Sequence, residues 1–161
     1  RLGRLDLGQW ASIAASGEVG AAVLSVGNDE VGTLQPVTEA ATACAQARVN
    51  LVIDARAALG RCPLPPLETP TVIVADPRAW AGPAGVGVIG IPKSASWNFP
   101  GPTADLEGGP ATTLPVVPLA LAAAEAWQQT LADQERDAVK ARELIDQLRQ
   151  AAAALPDVDV V

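Results

Sequence analysis

The chain has 161 residues, a formal charge of −7 and a composition that is 49% apolar but only 3% aromatic, with no Met, His or Tyr. A length of this order makes one domain around one core, and with so few aromatics that core must be built from Ala, Val, Leu and Ile. The acidic charge is dispersed rather than blocked, which argues against nucleic acid as a partner, because a DNA or RNA surface needs clustered Lys and Arg.

No stretch reaches the ~20 uninterrupted apolar residues of a membrane span, and the termini show no signal-peptide pattern, so no membrane partner is expected. Cys44 and Cys62 have no CxxC spacing and no His with which to share a metal. No metal site is expected, and a reducing, cytoplasmic setting is the default. The start at Arg1-Leu2-Gly3 reads as that of an internal segment of a longer protein, incomplete as a catalyst.

In chain order, apolar residues at helical spacing over 7–15, with Trp10, Ile13 and Ala14 on one face, predict a short helix. Residues 21–26 then run apolar without alternation, as expected of a central strand buried on both faces. A polar turn over 27–33 leads to Pro36, placed where a helix begins without wasting an amide hydrogen. That helix runs to about Arg48. Val37, Ala40, Ala41 and Cys44 fall at i, i+3, i+4 and i+7 on it, which makes Cys44 a core residue.

Leu51-Val52-Ile53, ending in Asp54, and Thr71-Val72-Ile73-Val74, ending near Asp76, read as the second and third strands. Strand, helix, strand is the signature of a parallel sheet packed under helices, and the chain reads as α/β. One more strand is expected over 86–91. Residues 92–118 hold six prolines with little periodicity and read as an extended connection, too long for idle filler. From about Leu119 to Ala154 the pattern is helical, with Leu121, Trp127, Leu131, Leu144, Leu148 and Leu155 recurring along a stripe. This exceeds ordinary globular helix length. Residues 155–161 look like the start of a new strand.

Gly85-Val86-Gly87-Val88-Ile89-Gly90 matches GxGxxG, but that fingerprint needs a strand before it and a helix opening from it. Here Pro92 stands where the helix belongs, so the glycines are read as permitting close backbone approach. Asp54 carries more information. A carboxylate at the carboxyl end of a buried parallel strand lies where open α/β sheets bind ligands, although a loop hydrogen bond would also place it there.

Three segments in order carry a resemblance: Gly27-Asn28-Asp29-Glu30-Val31-Gly32-Thr33-Leu34-Gln35-Pro36, Val52-Ile53-Asp54-Ala55-Arg56-Ala57-Ala58-Leu59-Gly60, and Gly82-Pro83-Ala84-Gly85-Val86-Gly87. Together they resemble the large domain of class V aminotransferases, and among these the cysteine desulfurases, which are fold-type-I pyridoxal-phosphate enzymes. In that family the segments read Asn-Asn-Glu-(Ile/Val)-Gly, Asp-Ala-x-Gln-x-x-Gly and His-Lys-x-x-Gly-Pro-x-Gly-x-Gly. The resemblance implies a three-layer α/β sandwich with a mostly parallel sheet, pyridoxal 5′-phosphate as cofactor, a homodimer, and a sulfur-acceptor partner if the protein is desulfurase-like. It divides the chain into the later part of the large domain, 1–118, a long helix leading out of it, 119–155, and the start of a small domain, 156–161.

By the same resemblance, Asp54 matches the aspartate that pairs with the cofactor's pyridine nitrogen and keeps it protonated, so that the ring acts as an electron sink. Elsewhere the match decays. Asp29 replaces an asparagine that touches the cofactor, and an ionised carboxylate cannot donate. Ala57 replaces the glutamine that hydrogen-bonds the ring oxygen. Counting back from Gly82-Pro83 puts Arg78 at the family's histidine and Ala79 at its lysine. Schiff-base chemistry requires a primary amine there, so no catalytic residue is assigned and covalent attachment of the cofactor is not expected. Lys93 and Lys140 do not fit the motif. Asp54, Asp29 and Arg78 stand as the candidate cofactor-binding residues.

Arg78 beside Trp80 suggests stacking on the indole in preference to a phosphate grip. The family's arginine before a Gly-Thr pair has no counterpart in Gly109-Pro110-Ala111-Thr112-Thr113. The leading expectation is therefore a catalytically degenerate large domain. The alternatives are an active pyridoxal-phosphate enzyme completed by parts outside the chain, and an unrelated α/β domain that binds a small anion.

Overall fold

The structure, a computed structural model, describes residues 3–67, 71–95 and 116–160. Its first helix, α1 (Leu7–Ala14), starts at Asp6, whose carboxylate accepts from the Gln9 amide at 3.0 Å and so satisfies one of the orphan donors of the first turn. Trp10 Nε1 donates to the Ala40 carbonyl at 3.2 Å, which ties α1 to the second helix, α2 (Val37–Ala47). Ala14 is buried, but Ile13, expected on the same face, is 52% exposed. In a helix of only eight residues the i, i+4 pair Trp10 and Ala14 defines the contact, and Ile13 falls to its side.

Strand β1 (Ala21–Ser25) pairs in parallel with β4 (Asn50–Asp54), and β4 pairs in parallel with β5 (Thr71–Ala75). A short strand, β6 (Val88–Gly90), closes the order β1-β4-β5-β6 by running antiparallel to β5. Between β1 and α2, β2 (Gly27–Asn28) and β3 (Thr33–Leu34) form a small hairpin across the expected polar turn. Asn28 Oδ1 holds the turn by accepting from the amides of Glu30 and Val31 at 2.9 and 3.2 Å, a local alternative to ladder hydrogen bonding.

The expectation that β1 is central and buried on both faces does not hold. Its burial alternates, with Leu24 buried and Val23 67% exposed, and among the described residues it pairs only with β4. Ala22 and Leu24 face the cluster formed with α1 and α2, while the opposite face has no described cover. An apolar run reports a strand's fitness for burial, not whether a second layer arrives.

Helix α2 (Val37–Ala47) follows Pro36 and buries Val37, Ala40, Ala41 and Cys44, the four residues its periodicity selected. It ends at Arg48 in the left-handed region at φ 58°. Ala40, at 0% exposure, and Ile53 of β4, also at 0%, show how closely the small helix residues let the helix approach the sheet. Burial pushes the Cys44 thiol pKa up, against a hydrogen bond from Trp10 that lowers it, as expected of a packing residue rather than a reactive one.

The GxGxxG stretch opens no helix among the described residues that follow it, up to Ala95. Gly85 has φ +95°, and a Cβ there would stand 3.3 Å from Leu119 Cδ1, so close approach applies at this glycine; at Gly87 nothing lies within 4 Å. The fourth strand covers Val88–Gly90 rather than 86–91.

The long helix, α3 (Val117–Ala153), extends for 37 residues and buries only Ala123. Its leucine stripe is exposed, with Leu121 at 66% and Leu148 at 64%. Residues 155–160 adopt no strand. A strand exists only through a partner's ladder, which the apolar letters at the chain's end do not supply. Most of the proline-rich connection, including Gly109–Thr113, lies outside the described residues. The result is an α/β fold with a mostly parallel sheet and a long C-terminal helix, as the patterning implies.

Candidate binding cleft

Parallel strands put their carboxyl ends side by side, and β4 and β5 end on one edge with Asp54 opposite Val74 in register. Beyond that edge lies a cleft of about 530 Å³. Asp29, Asp54 and Arg78, the residues nominated from sequence, all line it, as do Ala57 and Ala79. Asp29 comes from the β2–β3 hairpin, Asp54 from the end of β4, and Arg78 from the 3₁₀ turn Pro77–Trp80 that follows β5.

The walls also include Ser25, Gly27, Arg56, Arg61 and Asp76, none of which the sequence reading selected. A signal was present for two of them. Asp54-Ala55-Arg56 and Asp76-Pro77-Arg78 repeat one Asp-x-Arg pattern at the ends of two adjacent strands. Each pattern folds into the same fork. Arg56 donates from Nε to Asp54 Oδ1 at 2.9 Å and from Nη2 to Oδ2 at 2.7 Å, while its amide reaches Oδ1 at 3.1 Å. Arg78 likewise donates from Nε to both oxygens of Asp76, at 3.1 and 3.0 Å, and from Nη2 to Oδ2, with its amide on Oδ1 at 3.0 Å.

These bidentate pairs decide the electrostatics. The hydrogen bond from the Arg56 side chain holds the Asp54 carboxyl below its ordinary pKa, opposed by partial burial. The corresponding bond from Arg78 lowers Asp76 to about 2. Both guanidinium groups are pushed up in return, first by the carboxylate each one grips. Arg56 also senses Asp76, so the two forks share one field.

The expected stacking of Arg78 on Trp80 is replaced by this fork. Trp80 turns the other way: it is buried, meets Trp127 edge-on with centroids 5.2 Å apart at 71°, and donates from Nε1 to the Ala123 carbonyl at 3.0 Å. Thr130 Oγ1 donates to the Trp80 carbonyl at 3.2 Å. Two residues from Arg78, therefore, the chain is fixed to α3. A carboxylate at i−2 captures the guanidinium locally, while the indole has a larger apolar area to bury against the helix.

The residues present do not fit pyridoxal phosphate held as the resembling family holds it. Ala79 offers no amine, and neither Lys93 nor Lys140 lines the cleft. Ala57 offers no polar group to the ring. Asp54 accepts three hydrogen bonds from Arg56, two on Oδ1 and one on Oδ2, so a ring nitrogen would have to share Oδ2 with the fork.

No family model matches the chain, and no curated protein matches it in sequence. Its fold matches solved structures closely. A NifS-like protein from Rickettsia africae superposes with a TM-score of 0.85 at 16% identity, over 98% of this chain and 45% of that one. DndA from Streptomyces lividans gives 0.79 at 22% identity, over 96% and 45%. A pyridoxamine-pyruvate aminotransferase from Mesorhizobium loti gives 0.66 at 16% identity, over 84% and 39%. The chain thus has a class V aminotransferase and cysteine-desulfurase-like fold, and it spans less than half the length of these proteins.

Proposed function

We propose that this chain is a catalytically degenerate large-domain segment of a cysteine-desulfurase-like or class V aminotransferase-like protein, retained for a role other than pyridoxal-phosphate chemistry. The observation that carries this reading is the pairing of two changes in one cleft. Alanine stands at position 79, where the motif requires the amine, and at position 57, where it has the glutamine that hydrogen-bonds the ring oxygen. Either change alone would leave part of a cofactor site; together they remove the covalent attachment and a hydrogen bond to the ring.

The segment boundaries at 118 and 155, the cytoplasmic setting and the homodimer belong to the same proposal, as does a sulfur-acceptor partner for a desulfurase-like parent. A fold of this kind hosts many activities, so the site and not the architecture carries the functional statement. The test is an absorbance spectrum of the full-length protein with added pyridoxal phosphate, before and after borohydride reduction, with mapping of any modified lysine. The expected result is no visible band and no fixed lysine. A band fixed onto one lysine would overturn the reading and restore the alternative of an active enzyme whose amine comes from outside this chain.

A further inference from the structure

We propose that Arg56, Arg61 and Arg78 form a non-covalent site for a small multivalent oxyanion of the phosphate class at the carboxyl edge of the sheet. The inference rests on the reading of this cleft as one without an attached cofactor, and it names what the cleft would bind instead.

Arg56 and Arg78 reach the cleft from the ends of neighbouring strands, and each is oriented by its own carboxylate through Nε and Nη2. The fork uses one edge of the guanidinium. The remaining Nη1 donors have no described partner, and the side chains are 63% and 69% exposed. A planar guanidinium with a fixed orientation and unused donors suits a tetrahedral oxyanion better than a flexible ammonium does. Prior orientation also reduces the ordering cost of binding.

Arg61 supplies the third cation, and among the described residues it carries no ion pair. Its backbone is held in place. The Arg61 and Cys62 amides both donate to the Ala58 carbonyl, at 3.0 and 2.8 Å, and the preceding Gly60 accepts from Gln134 Nε2 at 3.5 Å. Gly60 has φ +89°, and a Cβ there would stand 2.7 Å from that of Trp80, so the turn that presents Arg61 packs directly against the turn that presents Arg78. The two arginines are positioned by one packed unit.

The carboxylates on the walls set the sign of the test. Asp54 and Asp76 are spent on the forks. Asp29 lines the cleft without an ion pair among the described residues, and so opposes an anion. Its neutralisation should tighten binding, whereas loss of Arg61 should weaken it.

The experiment is calorimetric titration of the full chain, free of pyridoxal phosphate, with inorganic phosphate, with diphosphate and with succinate at low ionic strength. Saturable binding of phosphate or diphosphate is expected. It should weaken roughly tenfold or more in Arg61→Ala and in Arg78→Ala, the scale of a hydrogen bond to a charged group, and tighten in Asp29→Asn. The solvent-facing position of Arg61 makes its variant the one expected to keep an unchanged circular dichroism spectrum. No saturable heat with either phosphate, an unchanged affinity in a folded Arg61→Ala protein, or succinate binding as tightly as diphosphate would each overturn the proposal. The separate borohydride measurement reports on cofactor attachment, so the two readings fail by different observations.

Discussion

The interior under α2 lies on the face of the sheet and the rim of the cleft at the carboxyl edge of the same strands, yet they are held by different forces. Under α2, Ile53, Val37, Ala40 and Cys44 are at or below 2% exposure, and the contact is made of small apolar groups. At the rim, Asp54 and Asp76 hold arginines only two residues further on, and the loops are fixed to α3 through Trp80, Thr130 and Gln134. The interior is therefore sensitive to volume, and the rim to charge and to one buried indole. Beyond Gln134 α3 is almost wholly exposed and belongs to neither regime.

The largest effect that would sharpen this contrast comes from Trp80, a rim residue that is packed like the interior. Trp80→Ala should cost about 3–5 kcal/mol, the range for truncating a large buried aromatic, measured as a shift in the denaturation midpoint. Its signature should be regional: hydrogen exchange at the start of α3 should rise before that of β4. Uniform loss of protection would show that rim and interior are one cooperative unit.

A smaller effect is expected from acid. Asp54 and Asp76 are both depressed in the folded protein, Asp76 to about 2. Their contribution is therefore present above the unfolded carboxylate pKa of about 3.9 and lost as pH falls through the folded value. The forks should stay closed at neutral pH and open only in the range below about pH 4. A carboxyl-carbon NMR titration that placed Asp76 at the ordinary aspartate value would show that the fork does not form in solution.

The smallest effect lies on the distal part of α3. Leu148 is 64% exposed, and Leu148→Gln should change stability by no more than about 0.5 kcal/mol, as exposed substitutions do. A cost several times larger would mean that this face is covered in solution and that the contrast drawn for α3 is wrong.

Most of the α/β frame was legible because its signals are local. The i, i+3, i+4, i+7 spacing of Val37, Ala40, Ala41 and Cys44 states which face of α2 is buried whatever it meets. The β4 and β5 runs, and the aspartates ending or following them, were equally plain. Asp29, Asp54 and Arg78 were found one at a time, by motif position, and the structure places all three on one cleft. Arg56, Arg61 and Asp76 were missed because motif matching singles out only the positions a pattern specifies: Arg56 stands at a variable position and Arg61 and Asp76 lie outside the matched segments, although the repeated Asp-x-Arg was there to be read for Arg56 and Asp76.

What the sequence determined by itself is the alternation of strands and helices, the buried stripe of α2, the length of α3 and the absence of an amine at position 79. These follow from side-chain identity and from periods of two and 3.6 residues. Only the tertiary structure decided that β1 has one covered face, that β6 runs antiparallel, that Trp80 leaves Arg78 for Trp127, and that Arg78 turns to Asp76. Each is a choice between partners that the local sequence permits equally, and it is made by which apolar area is buried and which charge lies within reach once the chain has closed.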